Sequence, residues 1–217
     1  MTKLSTFEIK CIIFVIALIP LLVMLWNALT DSLGPNPVEA LAQESGIWSL
    51  RFLLMTLAFT PAKMIFNQPG LQKYRRIIAL FTFFYCSVHL LVFIGLEHSF
   101  SFSLIAEDLY TSPIALVGLL AYLLLVPLTV TSTNNMMRKL GKNWKKLHSV
   151  VYVIGLLAIL HFALTVKADL TRPLLYGFIL LTLFVIRGVV RNRKKMPACK
   201  TEAAKNQRSP EQPLPPP

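Results

Sequence analysis

Long apolar stretches alternate with short polar ones along most of this chain. Each apolar stretch approaches 20 residues, about the length of helix that crosses the hydrocarbon core of a bilayer. A spanning backbone must satisfy its own hydrogen bonds, so such stretches fold as helices. The pattern predicts an all-α membrane protein, a six-transmembrane-helix bundle with spans near 10–28, 47–66, 77–97, 113–132, 147–167 and 173–191.

The remaining segments divide the chain into a domain and a tail. Residues 1–195 are predicted to form one transmembrane domain, and the polar, Pro-rich segment 196–217 a disordered cytoplasmic tail. The N-terminal apolar run has no small-residue cleavage site, so we interpret it as the first span rather than a signal peptide. Residues 38–46 are expected to form a short interfacial helix, and residues 99–110 to lie at the outer surface.

Charge follows the same alternation. Only 15% of the 217 residues are charged, yet the net charge is +12, against about 25% charged residues in soluble domains. The first and third loops contain acids and no Lys or Arg, whereas the second and fourth loops and the tail are basic. The positive-inside rule then predicts that both termini are cytoplasmic. The basic balance indicates membrane orientation, not nucleic-acid binding.

Two histidines lie inside predicted spans, His89 in the third and His161 in the fifth. A helix rise of about 1.5 Å per residue places His89 about 12 Å from Glu97 and His161 about 9 Å from Lys167, both in the outer half of the bilayer. Ionisable side chains are rare there and indicate function. Two facing neutral imidazoles are typical axial ligands of a b-type haem, so we predict a haem between His89 and His161.

A second candidate site lies at the inner ends of the same spans. His148 begins span five, and is either an interfacial histidine or a ligand of a second cofactor. It is 13 residues from His161, about 140° around an ideal helix, so two haems on one face would require a bend or an over-twist of the helix. Arg75 is 14 residues before His89, on the same face, and an arginine suits a phosphate or propionate. Arg75 and His148 are therefore predicted to bind an anionic cofactor or a quinone headgroup. His98 has no obvious partner.

Other motifs carry less information. The three cysteines, at Cys11, Cys86 and Cys199, show no paired spacing, so neither a disulfide framework nor a zinc site is expected. There is no evident internal repeat and no Gly-rich nucleotide fingerprint. Electrons would then have to come from a quinol or from a separate reductase.

Several segments resemble the MsrQ family, formerly called YedZ. These are the haem-binding membrane subunits of the MsrPQ methionine sulfoxide reductase system, within the ferric reductase-like transmembrane group. The resemblance runs from about residue 10 to 190 and is carried by Gly34–Glu39, Thr60-Pro61, Arg75-Arg76, Thr131–Thr133 and above all Met137–His148.

The resemblance implies a six-helix bundle in the bacterial inner membrane. It implies b-type haem, one or two, bound through His89, His148 and His161, together with FMN. The chain would be a non-catalytic electron-transfer subunit that forms a heterodimer with MsrP, a periplasmic molybdopterin enzyme. The electron donor would be the quinone pool or a cytoplasmic flavin reductase.

Two alternatives remain open from the residues alone. A transporter or channel could use His89 and His161 as a proton relay. It would be colourless, and acidic residues would be expected in its spans, yet none lies in the interior of a predicted span. An assembly factor for another membrane complex would merely pack its histidines. A visible absorption spectrum separates both alternatives from a haem protein.

Overall fold

The computed structural model describes residues 5–166 and 169–206, with side chains at all of these except Met64, Pro69 and 190–206. The regular secondary structure of these ranges is entirely helical, with no strand, which confirms the all-α class. A 3₁₀ turn, Pro69–Leu71, precedes the third helix, and a π-helix, Val92–Glu97, follows it. The nine α-helices of the described ranges are α1 (Thr6–Leu29), α2 (Pro37–Ile65), α3 (Gln72–Leu91), α4 (Phe102–Thr111), α5 (Pro113–Val130), α6 (Asn134–Leu140), α7 (Lys142–His148), α8 (Val151–Thr165) and α9 (Thr171–Asn206).

Five helical segments are long and apolar enough to cross a membrane: Thr6–Leu29, Gln72–Glu97, Pro113–Val130, Lys142–Thr165 and Thr171–Val189. The chain is a multi-pass membrane protein. The second predicted span, 47–66, ends one residue beyond α2, which has 29 residues but also carries Glu39, Glu44, Arg51 and Lys63. A sixth span and the orientation of the termini therefore stay predictions.

Two helix boundaries differ from the predicted ones. Helix α2 begins at Pro37, so the expected interfacial helix 38–46 is its first part. Pro37 suits the first helical position, and the Asn36 amide donates to Glu39 Oε2 at 2.8 Å. Helix α9 continues to Asn206, past the expected end at 191 and through residues 196–206, where we expected disorder. Alanine, lysine and glutamate in that segment favour a helix, whereas the end of the tail, 207–217, lies outside the described residues.

The helices associate as two main pairs, α2 with α3 and α5 with α8. A core of leucine and other aliphatic side chains joins the pairs, with Leu57 from α2, Leu125 from α5, Ile154 from α8 and Leu180 from α9. Because each pair holds one of the two in-span histidines, their packing determines how those histidines meet.

Helix α1 packs on α3 through apolar side chains and one buried hydroxyl. The Tyr85 side chain is fully buried; its hydroxyl donates to the Ala17 carbonyl at 2.8 Å and accepts from the Leu21 N–H at 3.1 Å. The insertion lies beside Pro20, an interior proline that cannot donate a helix hydrogen bond. Tyr85 thus hydrogen-bonds to backbone groups in the part of α1 where Pro20 lacks an N–H donor.

Candidate functional site

His89 and His161 meet in the interior of the bundle. His89 comes from α3 and His161 from α8, and their ring centroids are 5.9 Å apart with the ring planes at 82°. The structure therefore brings together the two histidines that were paired in the sequence by their similar predicted depth in the bilayer.

Both imidazoles use the same nitrogen for a backbone hydrogen bond. His89 Nδ1 lies 2.8 Å from the Ala42 carbonyl oxygen on α2, and His161 Nδ1 lies 2.9 Å from the Ile114 carbonyl oxygen on α5. A carbonyl oxygen only accepts, so each Nδ1 carries the proton and donates. Each Nε2 of a neutral ring then keeps its lone pair. Metal-binding histidines commonly donate their other N–H to a carbonyl in this way.

A glycine beside each histidine makes the close approach possible. Residues four apart lie one above the other on a helix face, and Gly46 and Gly118 follow Ala42 and Ile114 by four residues. A Cβ at Gly118 would lie 2.7 Å from His161 Cε1, and one at Gly46 would lie 3.3 Å from His89 Cε1. A side chain at position 118 would therefore force the His161 ring to move.

The two halves of this arrangement are equivalent. In each helix pair the histidine follows its carbonyl acceptor by 47 residues, and a glycine follows the carbonyl by four. One difference is Ser45, whose buried hydroxyl lies 3.3 Å from His89 Nδ1 and donates to the Leu41 carbonyl. Sequence analysis found neither the glycines nor the repeat, although the shared spacing was a signal for both.

The arrangement suits a metal ion held by two imidazoles and a macrocycle. The two imidazoles, with ring centroids 5.9 Å apart, would be the protein ligands of such a group. Within the described residues, no group of three or more His, Cys, Asp or Glu side chains could hold a metal ion. A haem supplies its own equatorial nitrogens and requires only axial ligands from the protein.

His148 has different surroundings. Its Nε2 lies 3.1 Å from Thr131 Oγ1, and that hydroxyl donates to the Pro127 carbonyl at 2.6 Å. His148 Nε2–H is therefore the donor, which leaves the lone pair on Nδ1. The Trp144 ring stacks on the imidazole at 4.0 Å. The nitrogen that is free in His89 and His161 is thus occupied in His148.

Span five is interrupted between its two histidines. Helix α7 ends at His148 and α8 begins at Val151, with a turn at Ser149 and Val150. Arg75, at the start of α3, lies near His148, so the structure brings these two predicted residues together.

Two polar contacts were not anticipated. Arg51, in the middle of α2, donates from Nε to the Tyr176 hydroxyl at 3.0 Å and lies over the Trp48 ring at 4.5 Å. An arginine inside an apolar stretch is itself a signal of function. His98 does have a partner, because its Nε2 lies 3.7 Å from Asp108 Oδ2 and ties α4 to the end of the π-helix.

Comparisons with known proteins place the chain in a family. Residues 45–159 match the ferric reductase like transmembrane component. A relative from Xanthomonas oryzae pv. oryzae (strain MAFF 311018) is 39% identical over 211 residues, which cover 94% of this chain and 95% of the relative. The chain belongs to the MsrQ family.

Further relatives agree with this family. A protein from Bordetella pertussis is 44% identical over 80% of this chain and 85% of its own length. One from Xanthomonas campestris pv. campestris (strain B100) is 46% identical over 70% of this chain and 69% of its own length. All three relatives carry the name "Protein-methionine-sulfoxide reductase heme-binding subunit MsrQ". No solved structure matches the chain.

Proposed function

We propose that this chain is a membrane electron-transfer subunit that holds a b-type haem between His89 and His161. It passes electrons from the quinone pool to a periplasmic, molybdopterin-containing methionine sulfoxide reductase of the MsrP type, which repairs oxidised periplasmic proteins. The observation that carries the proposal is the facing imidazole pair, in which each Nδ1 donates to a helix carbonyl.

The residues of this chain hold and orient the cofactor, while bound haem supplies one-electron chemistry. The Ala42 and Ile114 carbonyls fix the tautomer and the direction of each ring. Gly46 and Gly118 leave room for the rings, and aliphatic side chains of the bundle exclude water. Since a fixed imidazole loses less entropy on binding, the paired helices would favour ligation of haem iron by His89 and His161.

The proposed direction of electron flow follows from the predicted orientation of the chain in the membrane. With both termini cytoplasmic in a bacterial inner membrane, the histidine pair lies in the outer half of six spans. The acceptor docks on the outer loops 29–46, 98–112 and 168–172. Helix α4 belongs to this surface and carries the exposed acid Glu107, which suits a basic rim on the partner.

The inner site is proposed to receive the electrons. Arg75 and His148 bind an anionic cofactor or quinone headgroup there, and FMN is the flavin that the resemblance suggests. His148 stays a candidate ligand of a second haem after a change of ring orientation. A cytoplasmic flavin reductase is the alternative donor to quinol.

The direct test is the reduced-minus-oxidised absorption spectrum of the purified full-length protein. We expect the bands of a low-spin b-type haem, reducible by a soluble quinol and reoxidised by the periplasmic reductase. A colourless protein that inserts normally would exclude electron transfer and favour the proton-relay or assembly alternatives.

A second test separates the two sites. His148→Ala should leave the haem of His89 and His161 bound but slow its reduction by quinol, because the two sites lie about 20 Å apart along span five. Stopped-flow reduction of the α-band measures this. If the substitution removes all haem, the separation of the sites by depth is wrong.

A further inference from the structure

Two arginines approach each other at the end of the bundle opposite the histidine pair. Arg75 is in the first turn of α3, about 21 Å from His89 along the helix. Arg187 is 16 residues into α9, about 24 Å from its start. Their guanidinium groups are close enough for their charges to repel, and the Arg187 guanidinium lies 5.0 Å from the centre of the Tyr152 ring on α8.

One of these guanidinium groups has a nitrogen without a hydrogen-bond partner in the described part of the chain. Arg187 Nη1 is buried and has no hydrogen-bond partner among the described residues. Arg75 is half-buried, and within the described ranges the one contact shorter than 4 Å between a basic side-chain nitrogen and a carboxylate oxygen joins His98 to Asp108 instead. The neighbouring Arg76 differs, because it is exposed and donates to Asn134 Oδ1 at 3.0 Å.

Two converging cations without a carboxylate are costly inside a helix bundle. A buried donor that lacks an acceptor loses its hydration without compensation, and a specific unsatisfied group in a native fold requires an explanation such as an unseen ion. An anion with several acceptor oxygens would remove both the repulsion and the unmet donor. His148 also lies near Arg75.

The geometry points to a phosphate-binding site formed by Arg75 and Arg187, with Tyr152 as its wall. The planar guanidinium fork matches phosphate oxygens, and two forks from different helices can bind one phosphate group from two sides. This inference deepens the inner-site part of the proposed function and names the group that is recognised. The phosphate belongs either to a phospholipid of the adjacent leaflet or to a soluble phosphorylated molecule.

Binding can be measured on the intact protein by the rise in its unfolding temperature. The full-length protein in neutral detergent is titrated with inorganic phosphate and, separately, with dihexanoyl-phosphatidylglycerol. Arg75→Gln and Arg187→Gln should each weaken binding roughly ten-fold or more, since each removes charge-assisted hydrogen bonds. The matched control Arg76→Gln, one residue away on the exposed side, should leave binding unchanged.

The two probes distinguish the source of the phosphate. Arginine-dependent binding of the lipid alone identifies a headgroup site, and arginine-dependent binding of inorganic phosphate identifies a soluble ligand. The proposal is wrong if neither probe binds, or if Arg76→Gln weakens binding as much as the other two substitutions. It is also wrong if Arg75→Gln and Arg187→Gln lower haem retention but not phosphate binding, because the pair would then hold a propionate.

The haem spectrum of the same samples keeps this inference separate from the proposed function. His89→Ala should remove the haem signal and leave phosphate binding intact. A wild-type protein that binds phosphate through the two arginines but contains no haem would refute the proposed function and leave the phosphate site standing.

Discussion

At the scale of single residues, the site depends on backbone carbonyl groups and on glycines rather than on charged side chains. The Ala42 and Ile114 carbonyls orient the histidine rings, and the missing side chain of Gly118 lets the His161 ring occupy its position. The two positions differ in how much room they have for a side chain. An added Cβ would lie 2.7 Å from the nearest histidine ring atom at position 118, but 3.3 Å from it at position 46. The site should therefore be more sensitive to substitution at 118.

Gly118→Ala should lower haem affinity about ten-fold or more, within the range found when a residue supporting a metal ligand is altered. Gly46→Ala should have a smaller effect. Gly188→Ala is the matched control, since a Cβ there meets nothing within 4 Å. The haem-to-protein absorbance ratio of the purified variants ranks the three substitutions by their effect on haem binding. Full haem content in Gly118→Ala would show that the His161 ring does not rely on this approach.

The histidines could be predicted from the sequence, whereas their supports could not. An imidazole in an apolar span is costly, so His89 and His161 stand out. A backbone carbonyl has no residue signature, and a glycine in a spanning helix usually serves helix packing. Arg187 was also overlooked, because near the end of a span it looks like one more basic residue of the positive-inside pattern.

At the scale of elements, irregular segments position the chemistry. The turn at Ser149 and Val150 divides span five between His148 and His161, and a π-helix begins three residues after His89. Such π-helical turns are frequent at functional sites. The insertion of the Tyr85 hydroxyl into α1 is a third example, and it joins α1 to the helix that carries His89.

Tyr85→Phe should destabilise the protein by about 1–3 kcal/mol, because the Ala17 carbonyl and the Leu21 N–H would lose a buried partner. Thermal unfolding in detergent measures this. The control is Tyr110→Phe, whose ring is almost fully exposed and whose loss of a hydroxyl should have no effect. Equal stability of the two variants would mean that α1 is held by apolar packing alone.

The presence of a helix could be predicted where an apolar run is long, whereas the residues at which a helix begins and ends could not. Residue periodicity cannot show that α2 starts at Pro37, since charged Glu39 and Glu44 interrupt the apolar pattern. Composition likewise suggested disorder for residues 196–206, although lysine, alanine and glutamate propagate a helix that has already begun.

At the scale of the whole molecule, the two helix pairs form a pseudo-symmetric frame around one site. Helices α2 and α3 present His89 in the same manner in which α5 and α8 present His161. The proposed direction of electron transfer depends on which end of this frame faces the cytoplasm, and the predicted orientation rests on the distribution of basic residues.

Reporter fusions test the orientation. A reporter after Pro217 should be active only as a cytoplasmic protein, and one inserted at Ser101 only as a periplasmic protein, because the loops rich in lysine and arginine remain inside. Alkaline phosphatase and green fluorescent protein fusions at both sites provide reciprocal readouts. The opposite pattern, or both sites on one side, would contradict the six-span arrangement.

The central claim is that His89 and His161 ligate one haem, and the electron paramagnetic resonance spectrum of the oxidised protein tests it most directly. The wild type should show a low-spin, six-coordinate signal. His89→Ala and His161→Ala should each abolish it while the protein still inserts, and the control His98→Ala, at a residue bound to Asp108 instead, should retain it. A full six-coordinate signal in both single variants at positions 89 and 161 would contradict the account.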